Sequence, residues 1–150
     1  VIGREKGWLD EAADRLKPVY QTLPRLQRGA LLGNSYLVAA EIAESENDRQ
    51  REITMLGRAG DLFPADAATR IWIGKRLLQL EDAESALPHF LDAVKYAPYN
   101  SEANKGAATA LVIMQKVRSA EPYFQTAITD PSVRLDKAFM KLESLFEKKV

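Results

Sequence analysis

The chain has no cysteine and one histidine, His89, in 150 residues. The missing thiols exclude a disulfide framework and thiolate metal sites, and leave the redox compartment unread. A lone histidine outside any Glu-x-x-His or His-Glu-x-x-His context makes no metal-binding helix. Placed beside Phe90, it is expected to be a surface residue. Net charge is also lacking, with 21 basic residues against 21 acidic. No basic face is therefore expected for nucleic acid or an anionic membrane. No apolar run approaches the ~20 residues of a membrane-spanning helix, so membrane insertion is not expected. There is no signal-peptide pattern. The chain opens on Val1, as expected of a piece of a longer polypeptide. It reads as soluble, with the compartment open between cytoplasm and, in a bacterium, periplasm. Gly57 and Gly60 are not followed by Gly-Lys-Ser/Thr, so they form no phosphate loop. Glu44, Glu46 and Asp48, and Glu81, Asp82 and Glu84, lack the glycine and twelfth-position glutamate of a calcium loop. No catalytic residue, metal ligand or cofactor is predicted.

What the sequence does have is a repeat. Gly74, Ala86, Phe90 and Ala93 recur 34 residues on as Ala108, Ala120, Phe124 and Ala127, and Pro88 recurs as Pro122. Small residues and one aromatic at fixed offsets, in windows of helical periodicity, point to stacked helix–turn–helix units. Antiparallel helices approach closely where side chains at the crossing are small. Gly74 on a first helix and Ala86 and Ala93 on a second supply such places. Phe90 is expected to fill the space between hairpins. Pro98 stops the second helix, having no N–H to give and restricting Ala97 before it.

These residues resemble the tetratricopeptide repeat, whose pattern is Trp, Leu-Gly, Tyr, then Ala, Phe, Ala and Pro. Gly74, Ala86, Phe90, Ala93 and Pro98 match it. Arg70 stands for the Trp, Ile73 for the Leu and Leu77 for the Tyr, so a charge replaces an aromatic at residue 70. The resemblance implies an all-α fold, a right-handed α-solenoid of TPR-like helical hairpins with a C-terminal capping helix, in a single domain over residues 1–150. A degraded helix is expected at 8–22, repeats at about 25–66, 67–100 and 101–131, and the cap at 132–149. Within these, helices are predicted from Arg25 to Ser45, Arg49 to Gly60, Ala67 to Leu80, Asp82 to Tyr96, Ser101 to Met114 and Ser119 to Thr129. Ser101 and Ser132 are expected to cap helices. In the cap, Leu135, Ala138, Phe139, Leu142, Leu145 and Phe146 form one apolar stripe. The first helix lacks a hairpin partner, so its face of Leu9, Ala13, Leu16 and Tyr20 is an open end where the chain could self-associate.

The resemblance also implies a concave groove lined by the first helix of each hairpin. The expected partner-binding residues are Leu37, Val38, Ile71, Trp72, Lys75, Leu78, Lys105, Thr109, Val112 and Ile113, with Glu41 and Glu102 nearby. The family's clamp for terminal carboxylates is absent: Leu37, Glu41, Trp72, Glu102 and Gly106 occupy its places. The predicted function is a non-catalytic protein–protein interaction scaffold or adaptor, binding a protein or peptide partner in an apolar groove. Lys75 and Lys105 are expected to orient an acidic group on that partner. The competing readings are a helical-repeat RNA-binding module and an accessory domain of an enzyme.

Overall fold

A computed structural model describes residues 25–62 and 66–147. The expected helix at 8–22, its open apolar face, Pro64 and the last residues of the cap lie outside them. All regular structure among the described residues is helical. The fold is a set of TPR-like helical hairpins closed by a C-terminal cap. It divides into two compact units, residues 1–63 and 64–150.

In the first unit, α1 (Arg25–Ser45) packs on α2 (Arg49–Asp61). Ala39, Ala40 and Ala43 on α1 and Met55, Leu56 and Ala59 on α2 are buried. The 34-residue register runs into this hairpin: Ala40 stands where Gly74 does, Leu56 where Phe90 does and Ala59 where Ala93 does. Glu52 takes the place of Ala86 and is nonetheless buried. Gly60 lies inside α2, and the helix ends at Asp61 with Leu62 as its cap.

In the second unit, α3 (Ala67–Gln79) pairs with α4 (Ala83–Tyr96), and α5 (Ser101–Ile113) with α6 (Val117–Ala127). α5 packs on both α3 and α4, which stacks one hairpin on the other. Ala86, Ala93, Ala120 and Ala127 are fully buried, as crossing residues must be. Pro88 and Pro122 lie inside α4 and α6 with exposed side chains. On that side a missing backbone donor leaves little buried hydrogen bonding unmade.

Each hairpin turns in the same way. Asn47, Glu81 and Gln115, spaced by the repeat, have φ of 57°, 62° and 63°. In the α3–α4 link, Glu81 N–H donates to the Leu78 carbonyl (3.0 Å) and Asp82 N–H to the Leu77 carbonyl (2.9 Å). This pair of bonds satisfies carbonyls at the helix end, and the other two links repeat it. The left-handed conformation costs a non-glycine residue about 1–2 kcal/mol, so the turn is held by its hydrogen bonds rather than by residue preference. The next residue then starts the following helix: Asp48 and Asp82 each accept a backbone N–H three residues on. Asp66 and Asn100 do the same for α3 and α5. Asn100, not Ser101, is therefore the cap of α5, and Ser101 donates its hydroxyl to Asp130 (2.7 Å).

The C-terminal cap is not one continuous helix. It is a 3-10 turn (Val133–Leu135), α7 (Lys137–Met140) and α8 (Glu143–Glu147). Asp136, not Ser132, caps α7 by accepting from Phe139 N–H (3.1 Å). The breaks aim two rings at one target. Phe139 stacks on Phe124 with centroids 5.1 Å apart, and Phe146 meets the same ring at 4.9 Å. Leu135, expected on the buried stripe, is 82% exposed because the 3-10 turn points it away. Ala138 is exposed too, while Leu142 and Leu145 are half-buried.

Candidate protein-interaction face

The face presented by α3 and α5 in the second unit is built from a deliberate shortage of side chains. Phe90 on α4 is fully buried and points its ring at two glycines. A Cβ on Gly74 would lie 2.7 Å from the ring, and one on Gly106 would lie closer still. Real carbon atoms do not approach so closely, so the ring occupies the volume that both glycines vacate.

The face also opens beside these residues. A pocket of about 340 Å³ lies there, floored by Phe90 and Gly106. Leu78, Thr109, Ala138, Phe139 and Leu142 form its walls. Lys75, Glu102, Lys105 and Asp136 complete the lining. The four charges are paired: Lys75 Nζ lies 2.6 Å from Glu102 Oε2, and Lys105 Nζ lies 2.6 Å from Asp136 Oδ2. Lys105 also sits 5.9 Å from the centroid of the Phe139 ring. Its hydrogen bond to Asp136, joined by the Phe139 backbone N–H, holds that carboxyl below the usual carboxylate range. The Thr109 hydroxyl donates to the Lys105 carbonyl (2.8 Å) and is satisfied within its own helix.

The residues expected in the groove divide. Lys75, Leu78, Lys105 and Thr109 meet in this pocket. Ile71 is buried, at 8% exposure, and is not on the open surface. Trp72 and Ile113 are 48% and 59% exposed but lie outside the pocket lining. Val112 packs against the terminal core. Leu37 and Val38 belong to the first unit, where Leu37 is half-buried and Val38 is 50% exposed. Sequence periodicity missed Asp136, Ala138, Phe139 and Leu142, which the broken cap brings to the pocket. The expected free cations are not free, since each lysine has a carboxylate partner.

His89 is the other correction. It is buried at 6% exposure, with Nδ1 3.3 Å from Arg70 Nη1. Arg70 is equally buried and also pairs with Asp92 at 2.9 Å. A guanidinium offers only donors, so Nδ1 is placed to accept from it. The cation standing where the family packs an aromatic is thus accommodated by His89 and Asp92 one helix away. Among the described residues, no three side chains of the metal-binding types come together, and no helix is long and apolar enough to cross a membrane.

Paired small-residue crossings, a ring between hairpins and a shared left-handed turn define a TPR-like helical-repeat fold. No family model matches the sequence, nor does any curated sequence. Solved structures do. Two crystal structures of MamA are similar with a TM-score of 0.51 and 18% identity, over 90% of this chain and 87% and 94% of theirs. A structure of a MamA mutant gives the same score and identity over 83% of this chain and 69% of its own. At this identity the likeness is one of fold.

Proposed function

We propose that this chain is a non-catalytic protein-interaction module that takes a peptide segment of its partner on the face formed by α3 and α5. The observation that carries this reading is the open pocket beside a half-exposed tryptophan on a pair of stacked hairpins. Trp72 lies one helical turn before Lys75, so the ring and the pocket share one side of α3. Large exposed rings next to a concave apolar surface are the usual anchors of interfaces. Balanced charge overall and the pairing of Lys75 and Lys105 on this face favour a protein over a nucleic acid.

The test is selection of peptides from a random displayed library against the immobilised chain. A shared sequence pattern should be enriched, and Trp72→Ala should weaken the selected peptides by about tenfold or more. Because the ring is half-exposed, the variant should lose less stability than the roughly 3–5 kcal/mol of a truncated core aromatic. Failure to enrich any peptide, or unchanged binding by a folded Trp72→Ala variant, overturns the reading.

A further inference from the structure

We propose that the pocket over Phe90 is the specificity pocket of this face, and that it accepts one uncharged apolar side chain of the bound peptide. This rests on the peptide-binding reading above. Three features choose the occupant. First, the floor is an aromatic ring and the nearer walls are Leu78, Ala138, Phe139 and Leu142, so an apolar guest replaces water against carbon. Second, the polar groups make no demand on the guest. Thr109 is bonded within its helix, and among the described residues no buried side-chain nitrogen or oxygen lacks a partner.

Third, the charges cancel in place. An acidic guest drawn to Lys75 or Lys105 meets Glu102 or Asp136 beside each, and a basic guest meets the lysines. A neutral side chain leaves both pairs intact. Gly106 lines the pocket. It stands 34 residues after Trp72 and 68 after Val38, at the same place in the repeat. The other two hairpins carry a side chain there, whereas here the buried Phe90 ring takes its place.

The experiment is a titration of the ¹⁵N-labelled chain, followed by amide NMR, with the N-acetyl amides of leucine, phenylalanine and aspartate in the millimolar range. The leucine and phenylalanine compounds should move the Gly106, Thr109 and Ala138 signals saturably, and added salt should not change the response. The aspartate compound should leave them in place. Ala138 is exposed at the rim, so Ala138→Trp should fill the pocket without disturbing the core and abolish the response. A stronger response to aspartate, no response to any compound, or an unaltered titration with Ala138→Trp overturns the proposal. Selected peptides that bind Ala138→Trp as tightly as the parent chain overturn this inference alone and leave the interaction module standing. Saturable binding of the apolar amides without any selectable peptide overturns the module, and with it the assignment of a peptide as the guest.

Discussion

Phe90 and Phe124 hold the same place in consecutive repeats and are both fully buried, yet they are covered in opposite ways. Phe90 sits at an interior junction, faced by Gly74 and Gly106, and its burial depends on backbone coming close. Phe124 sits at the junction with the cap. Ala108, Val133, Phe139 and Phe146 join its core, and two of these are large rings brought in by short helices. A repeat can end its stack by covering the last ring with side chains from an irregular segment instead of another helix. The glycine solution covers the ring with backbone, and the aromatic solution covers it with side chains. The pocket lies beside the interior junction, with the cap supplying part of its wall.

The most damaging way to break the comparison is to remove the terminal ring. Phe124→Ala takes away the target of both Phe139 and Phe146, and should cost about 3–5 kcal/mol. Because both cap rings pack on Phe124, the cap's amides should lose hydrogen-exchange protection before those of α3 and α4. Simultaneous loss across the second unit would show that the cap and the hairpins unfold as one.

A smaller effect tests the interior junction. Gly106→Ala gains about 1 kcal/mol of helix propensity, yet it pushes a methyl into the Phe90 ring. Overpacking of this kind costs about 1–3 kcal/mol, so a net loss in the denaturation midpoint is expected. Pairing the substitution with Phe90→Leu should recover part of it. A midpoint raised by Gly106→Ala alone would mean that the ring has room to retreat.

The smallest expected effect separates the junctions by pH. Asp136 is held below the usual carboxylate range first by Lys105, and Asp130 by the hydroxyls of Ser101 and Ser132. Both lie where the cap joins α5. A carboxyl with a depressed folded-state pKa stabilises above its unfolded value and loses that contribution as pH falls through the folded one. Both groups are partly exposed, so the effect is screened and modest. Below roughly pH 4, exchange protection at Phe139 and Phe146 should fall, relative to intrinsic rates, ahead of that around Phe90. Equal loss at both junctions would remove these carboxyls as cap fastenings.

Much of this was legible because it is local. The helix from Arg25 to Ser45 follows from its own composition, and Ala86, Ala93, Ala120 and Ala127 declare the crossings by size and spacing. The left-handed turns were not legible, since Glu81 and Gln115 carry no preference for that conformation and only the flanking carbonyls impose it. Ile71 and Leu135 were misplaced for a related reason. Periodicity assigns a face, but whether that face is covered depends on a neighbour whose position the local sequence does not contain.

The sequence by itself determined the all-α class, the hairpin period and the small residues that let helices meet, because these depend on residues a few turns apart. It also specified the glycines that admit Phe90. Only the tertiary structure decided that Lys75 and Lys105 are neutralised, that His89 is buried against Arg70, and that the cap breaks so as to set two rings on Phe124. Those outcomes join side chains from different helices, and their energies depend on distance and burial. Neither quantity exists until the chain has folded.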